Sequence, residues 1–305
     1  MTRSSRHRPA FTLFQLLILL AVFLIAFALL LPAVAKVRQA AANSQSQNNM
    51  KQIGLACHNY LSVNNFFPPG LDDNKFSTAA YLLPFIEQDA LFRQIDFKKS
   101  VDDKANAEAR KLVIKTFLNP FDPVQSVSMD YGATNYLFCA GANADLKDNN
   151  GIFFLNSKVT IQEITDGTSN TILTVETLKG DSMVKATDMR RQHVLLKAAA
   201  LKGLKEDAGE QEWKDDKNIA ADRCASWMDG RFLQGTFTGT RALNDKRPDV
   251  NCGGAGGWSG GRSLRTVTNV GIADGSIRTV SDAVKLETWK IIAGRNDGLV
   301  VPADF

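Results

Sequence analysis

One long apolar run dominates the first part of the chain. It covers residues 11–35, and Gln15 is its only large polar side chain. About 20 consecutive apolar residues are enough to cross a bilayer as an α-helix. The ten residues before the run carry three arginines, and the first acidic residue of the chain is Asp72. The pattern therefore predicts a basic leader over 1–10 and a transmembrane helix over 11–35.

The helical pattern continues beyond the apolar run. Met50, Ile53 and Cys57 recur at three- to four-residue spacing, which places them on one face of an amphipathic helix. Secretory signals have an apolar core of only about 7–15 residues, so a cleaved signal peptide does not fit this pattern. We predict one helix of about 50 residues, with an amphipathic second half over 36–66 that ends before the prolines and glycine at 68–70.

The remaining residues, 67–305, are enough for one domain of mixed composition. We predict an α+β fold in which the long N-terminal helix packs on a domain with an antiparallel sheet. Apolar alternation and turn residues predict helices in 76–92 and 106–117, strands in 131–140, 151–155 and 171–178, and a hairpin over 267–280.

Two segments stand out from this background. Residues 181–222 are rich in Lys, Glu, Asp and Ala, and they predict an exposed charged insertion with a helix over 185–205. The hairpin at 267–280 turns at Asp274-Gly275, a dipeptide typical of a two-residue type I′ turn.

The net charge, the histidines and the cysteines limit the classes of function that we expect for this chain. The net charge is +4, much of it from the acid-free first 71 residues, and no basic patch with interleaved aromatic residues indicates nucleic-acid binding. The chain has three histidines, His7, His58 and His193, in separate segments, so we expect no catalysis. The four cysteines include no Cys-x-x-Cys pair, which argues against zinc. A Cys224–Cys252 disulfide and buried unpaired thiols both remain open.

Two further segments offer candidate sites. Carboxylate and hydroxyl oxygens cluster at 166–170, which allows an Asx-type turn, the interpretation we favour, or a calcium site with Asp166 and Asn170 as ligands. No other cofactor is predicted. The segment 251–262 has six glycines in twelve residues and predicts a flexible surface loop, which with Trp258 forms part of a binding surface.

The N-terminus resembles that of type IV prepilins and pseudopilins. The resemblance lies in the basic leader that ends at Ala10 and in the apolar start Phe11-Thr12-Leu13. In such proteins a prepilin peptidase cuts before the Phe and methylates the new amino terminus, which implies cleavage between Ala10 and Phe11. Two residues depart from the pattern: Ala10 stands where the family usually has Gly, and Gln15 stands at the assembly position where it has Glu.

Further blocks are similar to the planctomycete family called domain of unknown function 1559, whose members are described as prepilin-like. The blocks occur in family order at residues 47–60, 67–70, 82–88, 164–173 and 273–278.

The resemblance implies a pseudopilin-like structural or secretion-associated protein, as in type II secretion, without catalysis. It would be a single-pass protein of the inner membrane, with a cytoplasmic N-terminus and a periplasmic or extracytoplasmic domain. Its implied partners are the membrane, prepilin peptidase, and copies of itself or other pilin-like subunits. The alternative is an extracytoplasmic protein tethered by the same helix, which binds a carbohydrate or protein ligand.

Overall fold

The computed structural model describes residues 13–184, 188–205, 208–210, 212–214, 216–303 and 305. The chain divides into two units, the first ending at Ser44 and the second beginning at Gln45. The α-helices are α1 (Leu13–Asn64), α2 (Thr78–Leu82), α3 (Asp89–Phe92), α4 (Ala107–Lys111) and α5 (Leu286–Ala293). The strands are β1 (Tyr136–Cys139), β2 (Ile172–Glu176), β3 (His193–Leu196), β4 (Ile219–Ala220), β5 (Thr236–Phe237), β6 (Asp249–Cys252), β7 (Gly257–Trp258), β8 (Val267–Ile272) and β9 (Ile277–Ser281). Short 3-10 helices cover Leu83–Ile86, Lys104–Asn106, Lys115–Phe117, Ile161–Glu163, Met189–Arg191, Ala198–Gly203, Glu212–Lys214 and Asp216–Asn218.

The predicted long N-terminal helix is observed as α1, which has 52 residues. Its most apolar window has a mean hydropathy of 3.1 and buries none of its residues inside the structure, so α1 is long and apolar enough to span a membrane. The helix ends where Asn65 takes a left-handed backbone conformation (φ 68°) and donates its N–H to the carbonyl of Leu61 at 2.7 Å. A left-handed residue of this kind is a common helix stop, and Asn accepts it more readily than most residues.

The first sheet has the strand order β5-β1-β2-β8-β9. The four strands from β1 to β9 pair antiparallel, as predicted, whereas β5 joins the edge of β1 in parallel. The chain therefore has the predicted α+β fold with an N-terminal helix, although its sheet is mixed.

The C-terminal part of α1 covers one face of this sheet. Met50 and Ile53 are fully buried there, and each side chain of this size contributes about 1.5–3 kcal/mol when it leaves water. One glycine permits the close approach, because a Cβ at Gly271 of β8 would lie 3.2 Å from the Met50 side chain. Gly54 of α1 faces the backbone of Gly275, and a Cβ there would make an ordinary contact at 3.8 Å.

Alternation along the strands separates two apolar cores. Tyr136 and Phe138 of β1 pack with the buried face of α1, whereas Leu137 and Cys139 point to the opposite face. That second face is covered by α5, through buried residues such as Trp289. The central strands are therefore buried on both sides, and this explains why β2 is buried along its whole length although its sequence alternates between apolar and polar residues.

The described residues of 181–222 are mostly exposed or half-buried, but the helix predicted over 185–205 is wrong. A second sheet, of order β4-β3-β6-β7, takes β3 and β4 from this segment. The described part of the predicted helix over 185–205 consists of two 3-10 turns and β3, and Lys185 lies outside the described residues. His193 and Val194 are buried where β3 pairs in parallel with β6. The local helical propensity of the alanines and lysines is overridden by this tertiary pairing.

Two smaller expectations also need correction. Residues 151–155 form no strand: Ile152 and Phe153 are fully buried, but they lie in a turn whose backbone bonds to the end of β1. The four cysteines are buried and free, so the Cys224–Cys252 disulfide is wrong and the alternative of unpaired thiols holds. Cys224 packs in the core against α5, whereas Cys252 belongs to a separate cluster around β6.

The predicted hairpin is present as β8–β9, but its turn belongs to another class. Among the turn residues only Gly275 has positive φ, at 84°, whereas a type I′ turn needs two such residues. Gly275 donates its N–H to Ile272, and Ile272 donates to the carbonyl of Ser276, each at 2.9 Å. This is a three-residue connection, a type I turn followed by a left-handed glycine.

The turn supplies a first testable prediction. Gly275→Val should lower the free energy of unfolding by about 1–3 kcal/mol, because a β-branched residue is strained at φ 84°. Urea unfolding of the full-length protein in a neutral detergent, followed by circular dichroism, would measure the change.

The matched control is Asp274→Asn. Asp274 accepts the N–H of Ser276 at 2.8 Å, and the amide oxygen of Asn preserves that bond, so this variant should unfold like the wild type. Equal losses in both variants, together with a calcium-dependent rise in the melting temperature of the wild type alone, would show that Asp274 is a metal ligand.

Candidate functional site

The predicted N-terminal sites are only partly within the described chain. Ala10 and Phe11 lie outside the described residues. Gln15 lies on α1, in the part of the helix whose side chains are exposed and apolar.

A buried carboxylate connects α1 to the sheet. Glu176 at the end of β2 is only 1% exposed, and its Oε2 accepts Ser46 Oγ of α1 at 2.7 Å. The same oxygen accepts the side-chain amide of Asn119 at 2.9 Å, and Oε1 accepts the backbone N–H of Asn269 at 2.9 Å. Arg265 completes the set with an ion pair to Oε1. We call these five residues the Glu176 cluster.

The cluster satisfies a charge that would otherwise be costly to bury. An unpaired buried carboxylate costs several kcal/mol, and here hydrogen-bond donors and one cation surround it. Tyr136 lies beside the cluster, with its hydroxyl 3.3 Å from the carbonyl oxygen of Ser46. Burial raises the pKa of Tyr136, so it stays protonated. The sequence analysis missed this cluster, although a glutamate inside an apolar strand was a signal for it.

A second buried group of charges lies beside the first. Asp122 accepts Arg191 Nη1 at 2.9 Å and the Asn135 amide at 2.8 Å, and Lys179 Nζ lies 3.7 Å from its carboxylate. Burial acts to raise the pKa of Asp122, but Lys179 and Arg191 outweigh it and hold that pKa below its usual range. A cavity of about 300 Å³ borders this group, lined by residues that include Gln45, Lys115, Asn119, Asp122 and Lys179.

Two of the three histidines, His58 and His193, lie within the described residues. His58 of α1 packs edge-on against Phe67 at 5.8 Å between ring centroids. His193 of β3 is buried, with Nε2 3.7 Å from the carboxylate of Asp222. Burial lowers the pKa of His193 despite the opposing effect of Asp222 and Asp249, which favours the neutral imidazole.

The two candidate calcium ligands, Asp166 and Asn170, lie next to each other, and their side chains form hydrogen bonds with the protein backbone. Oδ2 and Oδ1 of Asp166 accept the backbone N–H groups of Asp297 and Gly298 at 2.7 and 2.9 Å. Asn170 donates its amide to the carbonyl oxygen of Asp166 at 3.1 Å. Within the described residues no group of three His, Cys, Asp or Glu side chains has the spacing to hold a metal ion. Asp166 thus fixes the C-terminal segment to the loop before β2.

The glycine-rich segment is a folded hairpin rather than the predicted flexible surface loop. It contains β7 and the end of β6, and most of its residues are buried. The glycines are needed because a Cβ at Gly256 or Gly257 would collide with the carbonyl oxygens of Ala144 and Val250.

Trp258 borders a cleft, and the predicted binding surface at this residue stays a prediction. The cleft has a volume of about 460 Å³, and Arg247 and Lys290 line it together with Thr240 and Asn143. The guanidinium carbon of Arg241 lies 5.5 Å from the centre of the Trp258 ring. The Arg247 guanidinium is paired with the carboxylate of Asp245 at 2.6 Å, so the Trp258 indole and the Lys290 ammonium are what this cleft offers to a ligand.

A comparison with known protein families identifies the family of this chain. The family model described as protein of unknown function (DUF1559), with the short name SBP_bac_10, matches residues 35–287. The chain belongs to the DUF1559 family. In this DUF1559 protein the match begins at Ala35, where the predicted transmembrane run ends, and it includes Glu176, Asp166 and Trp258. Neither the curated proteins nor the solved structures contain a significant match.

The Glu176 cluster generates a second prediction. Glu176→Gln should lower the free energy of unfolding by about 2–4 kcal/mol, because the amide turns an N–H group toward donors and leaves Arg265 without its anion. Ser46→Ala removes only the donor of α1 and should cost about 1 kcal/mol. Urea unfolding of the full-length protein measures both.

Glu287→Gln, at an exposed carboxylate on α5, is the matched control and should change stability by less than about 0.5 kcal/mol. If Glu176→Gln were as stable as Glu287→Gln, the cluster would not hold α1 on the sheet.

Proposed function

We propose that this DUF1559 protein is a membrane-anchored, prepilin-like structural or secretion-associated protein. The observation that carries the proposal is that a single helix has two chemically different parts. Over 13–35, α1 is exposed and apolar, whereas Met50, Ile53 and Cys57 of the same helix belong to the core of the domain. A helix that is both anchor and core element needs no separate linker between membrane and domain.

The proposed orientation places the N-terminus in the cytoplasm and residue 36 onward outside, in a single-pass protein of the inner membrane. The family resemblance supports this orientation. The positive-inside rule adds little, because the arginines of the leader face Lys36, Arg38 and Lys51 on the other side of the apolar run.

The proposed partners follow from the leader and the anchor. Prepilin peptidase would act on the Ala10–Phe11 bond, and the exposed apolar part of α1 would pack against copies of itself or other pilin-like subunits. The proposal includes no enzymatic activity, cofactor or nucleic acid. The positions of His58 and His193, packed into the core or buried in β3, support a non-catalytic role.

A tethered binding protein is the second candidate. Two observations favour it: Gln15 at the assembly position, and the cleft that Trp258 and Lys290 line. In that case α1 serves only as a tether, and the N-terminus needs no cleavage.

Processing provides the third prediction. Mass spectrometry of protein purified from its native membranes should find Phe11 as the first residue. Ala10→Gly, which restores the usual family residue, should raise the processed fraction, because the small Gly suits the peptidase site better than Ala. Intact protein that starts at Met1 would instead support the tether, and removal of all residues through Ala35 would contradict both candidates.

Topology provides the fourth prediction. Met129 is 97% exposed and the four native cysteines are buried, so Met129→Cys creates one accessible thiol in the domain. A membrane-impermeant maleimide should label this variant in right-side-out spheroplasts as fully as in lysed cells, and it should leave the wild type unlabelled. Labelling of Met129→Cys only after lysis would place the domain in the cytoplasm.

A further inference from the structure

A second cleft lies where α1 ends, away from the glycine-rich hairpin. It has a volume of about 510 Å³, and Tyr60 and Phe66 form its wall together with Tyr81 of α2. Tyr60 meets Phe66 and Tyr81 at interplanar angles of 67° and 73°, with ring centroids about 6 Å apart. We call it the tyrosine cleft. Its rings are half-buried, so they combine an apolar wall with access from solvent.

Two carboxylates line the same cleft, and only neutral groups bind them. Asp72 accepts the hydroxyl of Tyr81 at 2.6 Å and the backbone N–H of Phe76 at 2.8 Å. Asp73 accepts the side-chain amide of Asn156 at 2.7 Å. Among the described residues, neither carboxylate has a cationic side chain within 4.0 Å. The cleft thus holds two negative charges that the protein does not neutralise at contact distance.

A buried hydroxyl points to a missing partner. Ser157 lines the cleft and is 1% exposed, yet its Oγ has no hydrogen-bond partner within the described chain. A buried polar atom without a partner costs about 1–3 kcal/mol, so such atoms are uncommon unless water or a ligand satisfies them. The preceding residue, Asn156, has positive φ (53°), which turns the backbone so that these side chains meet at the cleft.

The cleft already attracts one positive charge. Lys158 Nζ lies 5.6 Å from the centre of the Phe66 ring, within the range of a cation–π interaction. Lys158 is exposed, so an external cation of similar shape competes with it for the same ring.

We propose that the tyrosine cleft binds a small molecule that carries a primary alkylammonium group. The ammonium would lie against the aromatic wall, near Asp73 and Asp72, and donate an N–H to Ser157 Oγ, while its alkyl stem packs on Tyr60 and Phe66. A neutral sugar would leave the two charges uncompensated, and a quaternary ammonium has no N–H for the serine. This site is independent of whether the N-terminus is cleaved or serves as a tether.

The test is isothermal titration of the full-length protein, in a neutral polyoxyethylene detergent, with 1,5-diaminopentane. The neutral controls are 1,5-pentanediol, which has the same length without charge, and glucose. We expect saturable binding of the diamine and none of either control.

Paired variants test the charges in opposite directions. Lys158→Ala removes the internal competitor and should tighten diamine binding about two- to fivefold. Asp73→Asn keeps an acceptor for Asn156 but removes a charge, and should weaken binding about two- to fivefold. Lys202→Ala and Asp274→Asn make the same charge changes at exposed positions that do not line the cleft, and should leave the affinity within about 1.5-fold.

Three results would overturn the proposal. They are absence of diamine binding, equal binding of the diol or glucose, and equal shifts in the cleft variants and their distant controls. The last result would show a general surface-charge effect rather than a site.

Discussion

The packing of the second half of α1 on the sheet depends on one buried carboxylate, that of Glu176. Glu176 is enclosed where the helix crosses the sheet, and its oxygens need donors from every side because an unpaired charge is so costly there. Ser46 supplies the donor from the helix, while Asn119 and the segment 265–269, through Arg265 and Asn269, supply the others. These directional bonds add to the apolar packing of Met50 and Ile53 and hold the helix on the sheet at this point.

The helix also packs closely against the β8–β9 hairpin. Gly54 lies on the face of α1 that meets the hairpin turn at Gly275, and Gly271 leaves room for Met50. The buried polar groups form a continuous set, since Asn119 of the Glu176 cluster and Asp122 line the same cavity of about 300 Å³. Buried ion pairs of this kind add little net stability, because removing the charges from water offsets their attraction. Here they connect loops that contain little regular secondary structure.

Two clefts of different chemistry lie on one domain. The cleft beside Trp258 is lined by an ion-paired arginine and by Lys290, whereas the tyrosine cleft is lined by two carboxylates and Lys158 next to aromatic rings. The first part of α1 is long and apolar enough to span a membrane, whereas both clefts are lined by residues of the domain. The two proposed functions, a pilin-like subunit and a tethered binding protein, differ in how this helix is processed.

The sequence by itself determined what is local or periodic. The apolar run at 11–35, the amphipathic face of α1 and the β8–β9 hairpin all follow from short-range spacing, because hydrophobic period and turn residues act over a few positions. The tertiary structure decided what depends on distant partners. The sequence predicts a helix over 193–196, but these residues form a strand because β6 pairs with them in parallel. The type of turn at Gly275 is likewise set by how the two strands of the hairpin pair. The role of Glu176 likewise exists only when three distant segments converge on it, and no spacing along the chain encodes that convergence.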